Sequence, residues 1–288
     1  MSSPLVRIGE SPAQPHPGLD WQARLELLRA WFGRHARVVV AYSGGVDSSV
    51  LLRVAHEVLG SRAVGVIGRS DSYAAHELAL ALEQAARFGA QVEVVTTGEL
   101  RDPRFRSNPA DRCYHCKSEL YTQLDAVAAR LGDAVVVDGT IRDDLGDWRP
   151  GRRAAGEHRV HSPLAELGFD KSGVRAVAAW YGLASADKPA SPCLASRIPY
   201  GTEITTESLS MVERGEALLR SLGFPECRVR HHGDVARVEV PAADLPRALE
   251  PGVRQELIAG LRRIGYRFVT IDLEGFRSGS LNRTLELP

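Results

Sequence analysis

The stretch Val38-Val39-Val40-Ala41-Tyr42-Ser43-Gly44-Gly45-Val46-Asp47-Ser48-Ser49-Val50-Leu51-Leu52 decides the fold. Its apolar opening reads as a buried strand, the glycines as a tight turn, and Val50-Leu51-Leu52 as the body of a helix. Strand, glycine loop and helix in that order make an anion site. Glycines let backbone N–H groups close on an oxyanion, and the helix start adds unpaired donors at the positive end of its dipole. No lysine follows the glycines as in a Walker loop, and the third glycine of the dinucleotide fingerprint is missing. A chance glycine turn with a serine-rich helix cap is the plain alternative. The agreement of all three segments speaks against it.

Outward from the loop, strands alternate with helices. Trp21, Leu25, Leu28 and Phe32 recur at helical spacing ahead of the first strand. Ala63 to Ile67, Val92 to Thr96 and Ala134 to Asp138 read as strands. Ala75 to Phe88 reads as a helix through Leu78, Leu82 and Ala85, and Lys117 to Leu131 as another through Leu120, Leu124 and Val127. This alternation implies an α/β fold, a parallel sheet with helices on both faces, holding a nucleotide at its carboxyl edge. Around Ile198 to Thr205, Pro199 and Gly201 break the pattern. Beyond them come a helix over Thr206 to Leu222, strands over Arg228 to Arg230 and Val235 to Val240 flanking a His232-Gly233 turn, a helix over Gln255 to Ile264, and a last strand over Phe268 to Leu273. The expected division is a flexible arm over 1–18, rich in Pro and Gly, an α/β domain over 19–200, and a smaller α+β domain over 201–288.

At 288 residues, two domains are the prior expectation. A hydrophobic content of 44% and a mean hydropathy of -0.17 describe an ordinary globular chain. No apolar run reaches the roughly 20 residues needed to span a bilayer, and the N-terminus lacks the layout of a signal peptide. A cytoplasmic address is therefore expected. Lys plus Arg equal Asp plus Glu at 36 each, so no global field collects nucleic acid, and a small-molecule substrate is expected instead.

Four cysteines stand at 113, 116, 193 and 227. Cys113 and Cys116 form CYHCK just before the expected helix, and Cys193 lies in PCLASRIPYG. In a reducing compartment a CxxC reads as metal-binding or redox-active. Two thiolates so spaced bridge an iron–sulfur cluster edge, and Cys193 is the natural third ligand. Zinc would want a second CxxC or a histidine pair, neither of which is present. Two incidental buried thiols are the plainer reading of the CxxC, and Cys227 reads as a small packed residue.

Asp138-Gly139-Thr140, with Asp143 and Asp144 just beyond, ends a strand at the sheet edge of the glycine loop and offers carboxylates for magnesium. A turn with solvated acids explains the same residues. Lys171-Ser172-Gly173-Val174-Arg175 opens a helix, either beside phosphates or as a capped surface helix. Arg228, Arg230, His231 and His232 cluster on the later hairpin, as phosphate and carboxylate forks or as a charged outer strand face.

Ser43 to Ser49 resembles the PP-loop, SGGxDS, of the ATP pyrophosphatase superfamily, which cleaves ATP between its α and β phosphates. Together with DGTIRDD, the WRPG at 148–151, KPASPCLASRIPYG and the terminal LEGFRSGSLN, the chain from about Leu19 to Asn282 resembles the LarE-type sulfur transferases. These convert a pyridinium biscarboxylate mononucleotide to a thiocarboxylate for the nickel-pincer cofactor of lactate racemase. The resemblance implies ATP bound by Ser43, Gly44, Gly45, Asp47, Ser48, Asp138, Gly139 and Thr140, with Asp47 helping to hold Mg2+ on the leaving pyrophosphate. A carboxylate is adenylated, sulfur attacks the acyl-adenylate, and AMP leaves. In one branch a single cysteine gives up its own sulfur. In the other, three cysteines resembling Cys113, Cys116 and Cys193 hold a 4Fe-4S cluster that relays sulfide from a donor the sequence does not name. This chain carries the three-cysteine pattern. Ser196 and Arg197 beside Cys193, with Arg228 and Arg230, would then hold the substrate's phosphate and carboxylates, which puts the expected active site at the domain junction. Family members assemble as homo-oligomers, hexamers among them.

Three alternatives stay open: Cys193 as a sacrificial donor, a transfer-RNA-thiolating PP-loop enzyme, and a non-enzymatic ATP-binding redox sensor. Neutral charge weighs against the second. Pyrophosphate release with substrate separates both enzyme classes from the third.

Overall fold

The first strand is apolar along its length. Val38, Val39 and Val40 are fully buried, which places β1 (Val38–Ala41) at the centre of a sheet. In the computed structural model, which describes residues 20–146 and 150–277, β1 lies between β2 (Ala63–Arg69) and β4 (Val135–Val137), and β3 (Gln91–Thr96) lies beyond β2. All four strands run parallel, as the α/β reading expects. Val38 faces Ala63 on one side and Val135 on the other. The 1–18 arm, Trp148 and Arg149 of WRPG, and the end of LEGFRSGSLN from Ser278 lie outside the described residues.

Helices α1 (Trp21–Gly33), α2 (Val46–Leu59), α3 (Ala75–Arg87), α4 (Pro103–Arg106), α5 (Arg112–Arg130), α6 (Gly151–Glu157), α7 (Pro163–Glu166) and α8 (Lys171–Trp180) accompany this sheet in the chain. Their starts follow local chemistry. Asp20 caps α1 by accepting from the N–H of Ala23 at 2.8 Å, and Asp170 caps α8 by accepting from Gly173 at 2.8 Å. Leu28 and Phe32 of α1, fully buried, fulfil the helical spacing read from the sequence.

The second sheet is mixed, in the order β5-β6-β7. β5 (Arg228–His232) and β6 (Val235–Glu239) form an antiparallel hairpin turning at Gly233, whose φ is 62°. β7 (Phe268–Ile271) pairs parallel to β6 after α10 (Leu245–Ala248) and α11 (Pro251–Ile264). α9 (Thr206–Ser221) begins with a capping box between Thr205 and Ser208. It shares with this sheet a core of Leu219, Phe224, Val229, Val238 and Leu261. Cys227 belongs to that core as a packed thiol, pushed up to about 12 chiefly by burial.

Two compact units divide the chain. The first takes the described residues up to Gly68, Leu78–Val95 and Leu120–Pro189. The second takes Arg69–Glu77, Thr96–Glu119 and Ala190 onward. Among the described residues no helix is long and apolar enough to cross a membrane.

Candidate functional site

The strand order of the first unit selects a binding edge. The chain steps outward from β1 through β2 to β3, then returns to the other side of β1 as β4. A crevice opens at such a switch point, beyond the carboxyl ends of β1 and β4. The segments that follow those two strands are Ser43 to Ser49 and Asp138-Gly139-Thr140.

Gly44 takes φ of 68°, and a Cβ there would stand 2.5 Å from that of Ala81, so both conformation and space demand glycine. Gly45 stands at the N-cap of α2, where it has no side chain to cap the first turn. The loop is closed by Ser48, whose Oγ accepts from Ser43 N at 3.1 Å and donates to Gly45 O at 3.2 Å. Behind it, the amide of Gln84 donates to Ser49 Oγ at 2.6 Å and accepts from Ser185 N at 2.9 Å, which pins the start of α2.

Asp47, expected to help hold magnesium, accepts from Lys171 Nζ at 2.8 and 2.7 Å. The 171–175 segment thus opens a helix capped by Asp170, as one of its two readings has it, and the Lys171 ammonium stands against Asp47 of the glycine loop. Asp138 is buried and accepts from Tyr121 Oη, Ser162 Oγ, Thr140 N and Thr140 Oγ1, between 2.8 and 3.1 Å. Asp143 accepts from Lys171 N and Asp144 from Ile141 N. Asp138 is thus engaged inside the turn after β4, while Asp143 is exposed, as the solvated-turn reading has it, and both it and Asp144 hold backbone N–H groups of neighbouring segments. A Cβ on Gly139 would stand 2.9 Å from Ser48 N and 3.2 Å from its Cα, so that turn lies directly on the head of α2. Gly139→Ala is expected to push the two loops apart, costing about 1–3 kcal/mol. The check is a paired unfolding curve and ATP titration, in which wild-type values for both would refute the packing.

In the second unit, the helix expected from Lys117 begins at Arg112 instead. Cys113 and Cys116 therefore sit inside its first two turns, three residues apart on one face, rather than in a loop before it. Cys193 precedes the short turn Leu194–Arg197, anchored by Leu194 N donating to Ser72 O at 2.8 Å. Cys116 and Cys193 pack against one apolar cluster that includes Phe105, Leu194, Ile198 and Leu209. Burial holds the Cys116 thiol well above its usual range, and the nearby Glu99, Cys193 and Cys113 push the same way. None of the four cysteines forms a disulfide. Among the described residues no three His, Cys, Asp or Glu side chains converge on one metal ion. Cys113 and Cys193 both lie close enough to Cys116 to act on its thiol electrostatically, and a cluster, which takes one thiolate per iron, asks less convergence of three such thiols than a zinc ion does.

Glu99 was not legible as a site residue. It is buried, and Oε1 accepts from the Ser70 and Ser72 hydroxyls, the latter at 2.7 Å, while Oε2 has no partner. A single acid in an irregular segment carries no sequence signal.

The arginines divide sharply. Arg197 donates to Glu216 at 2.7 and 3.2 Å and to the Ser196 hydroxyl at 2.9 Å. Arg230 donates to Glu239 at 2.9 and 3.0 Å and to Ser196 O at 2.8 Å. Both forks are thus occupied by buried carboxylates. Arg228 is also buried but has no carboxylate partner among the described residues, and its guanidinium lies 4.7 Å from the Phe276 ring centre. Burial, then Arg197 and Arg230, lower it to about 10, which still leaves it cationic at neutral pH. A charged outer strand face is excluded for Arg228 and Arg230. Arg228 Nη2 donates to Ala190 O at 3.5 Å.

No protein-family model matches the chain. The uncharacterized protein slr1717 of Synechocystis sp. is 45% identical over 264 residues, covering 92% of this chain and 98% of its own length. The pyridinium-3,5-bisthiocarboxylic acid mononucleotide synthase of Lactiplantibacillus plantarum is 41% identical over 250 residues, covering 86% and 90%. The uncharacterized protein MJ0830 of Methanocaldococcus jannaschii is 28% identical over 245 residues, covering 85% and 92%.

Proposed function

The chain belongs to the LarE-type sulfur transferases, the pyridinium-3,5-bisthiocarboxylic acid mononucleotide synthases, and from that membership we propose that it is an ATP-dependent enzyme that converts a carboxylate of a pyridinium biscarboxylate mononucleotide to a thiocarboxylate. The substrate carboxylate attacks the α-phosphorus of ATP, and pyrophosphate leaves with Mg2+. Sulfide then attacks the acyl carbon. A C–S bond forms, the C–O bond to AMP breaks, and AMP departs with the electron pair.

The chain's own groups suit these steps. The head of α2, capped by a glycine, offers its backbone N–H groups and positive dipole end to phosphate oxygens. Lys171 brings positive charge to the loop through its ion pair with Asp47, the carboxylate that would hold Mg2+ on the leaving pyrophosphate. Arg228, cationic and without a carboxylate partner, takes a phosphate or carboxylate of the substrate. Arg197 and Arg230 brace the Ser196 turn around it instead of binding substrate themselves. The observation that supports the sulfur chemistry is that Cys113 and Cys193 both lie within electrostatic reach of Cys116 at the head of α5. Their thiolates are the residues that would hold a 4Fe-4S cluster, which when bound supplies an iron that presents sulfide in a deprotonated form.

The test combines protein, ATP, Mg2+, sulfide and the pyridinium biscarboxylate mononucleotide under anaerobic conditions. Expected products are AMP, pyrophosphate and a substrate that has exchanged oxygen for sulfur by mass. ATP binding without pyrophosphate release would refute an enzyme, and pyrophosphate without the mass change would refute sulfur transfer.

A further inference from the structure

Arg112 is 3% exposed and has no acidic partner within salt-bridge distance among the described residues. Its Nη1 donates to Asn108 Oδ1 at 2.6 Å, its guanidinium lies 4.5 Å from the Tyr200 ring centre, and its Nε has no partner. A buried cation without a counter-ion is costly. It is retained where something negative comes to it.

We propose that Arg112 supplies the counter-charge of the thiol pocket, a fixed positive group that balances an iron–sulfur centre held by Cys113, Cys116 and Cys193 and raises its reduction potential. The inference rests on the cluster reading of those cysteines. Arg112 directly precedes Cys113 on α5. Asn108, which Arg112 holds, donates its side-chain amide to the carbonyls of Ile198, Pro199 and Thr202, just beyond the Cys193 turn. The Tyr200 phenol lies within electrostatic reach of Arg112, Cys113 and Cys193 alike. Glu99 and Lys117 also face Cys116, with opposite signs. Three thiolates leave an oxidised cluster core net negative, and an adjacent fixed cation favours uptake of one electron from an external reductant.

A buttress for Asn108 is the competing role, and charge separates the two. Arg112→Gln keeps an N–H to offer Asn108 and loses the charge, whereas Arg112→Lys keeps the charge and loses the fork. Both variants and wild type are reconstituted anaerobically, their iron is counted, and the midpoint potential is read by a dithionite titration followed in the visible and by electron paramagnetic resonance. Expected is full iron in wild type and in Arg112→Lys at a similar potential, with a clear shift to more negative potential in Arg112→Gln. An unshifted Arg112→Gln, or equal shifts in both variants, overturns the counter-charge while leaving the cluster reading intact. Iron-free wild type overturns both. If Arg112→Gln melts early or fails to fold, the lysine variant decides alone, since a shifted potential there refutes the proposal and an unshifted one supports it.

Discussion

Cys113→Ala, purified anaerobically beside wild type, is expected to lose the iron, acid-labile sulfide and visible absorption that wild type carries at about four irons per chain, and with them repeated turnover. Removing one thiolate leaves one ligand on α5 and one at Cys193, too few to fix a cluster of this size. Cys113 is exposed, so the substitution removes little packing and the thermal melt of the iron-free chain is expected to stay near wild type. Cys227→Ala is the internal control: its thiol lies in the separate core of α9, α11 and the second sheet, and iron content is expected to hold. A colourless wild type, iron-free even after reconstitution, would sink the cluster mechanism. The bet would then move to Cys193 as a sacrificial donor, seen as loss of one H2S from the protein's mass after a single turnover that Cys113→Ala retains.

Glu239→Ala is expected to be the most destabilising single change in the second unit. Glu239 is 1% exposed, accepts both arms of Arg230, and receives Arg237 at 3.3 Å. Deleting it takes this carboxylate from the Arg230 guanidinium, itself 2% exposed, beside the buried cation of Arg228. Breaking such a pair from one side costs about 3–5 kcal/mol, read as a lower urea midpoint with an unchanged slope. Glu239→Gln keeps the shape and one acceptor, so a smaller loss is expected from it. A Glu239→Ala midpoint within about 0.5 kcal/mol of wild type would mean that Arg230 does not depend on this carboxylate. Arg230 would then return to the substrate-binding candidates beside Arg228.

The arginines show where reading residues in order stops. Arg197, Arg228 and Arg230 look alike in the sequence, and only their partners separate them. Glu216 reaches Arg197 from α9, and Glu239 reaches Arg230 diagonally across the hairpin, because helix packing and strand register carry them there. Asp138 and Asp47 tell the same story. Their type and position pointed to magnesium, but whether their oxygens were already engaged depended on Tyr121, Ser162 and Lys171, distant in sequence. The early start of α5 was hidden because Arg112 to Cys116 carries no apolar stripe, although Asp111 just before it is a residue type that caps helices.

What the sequence by itself determined was everything encoded within a few consecutive residues: the strand, glycine loop and helix from Val38 to Leu52, the alternating elements of a parallel α/β fold, and the thiol spacing at 113 and 116. Local backbone preference and the 2- and 3.6-residue periods suffice for these. What only the tertiary structure decided was the β3-β2-β1-β4 order that makes the loop edge a switch point, the approach of Cys193 to the Cys113–Cys116 pair, and the sorting of buried charges into Arg197 and Arg230 with carboxylate partners and Arg112 and Arg228 without. Those depend on which groups far apart in the chain are buried against each other. In a low-dielectric interior that neighbourhood, not the residue's type, sets whether a charge is a brace or a binding group.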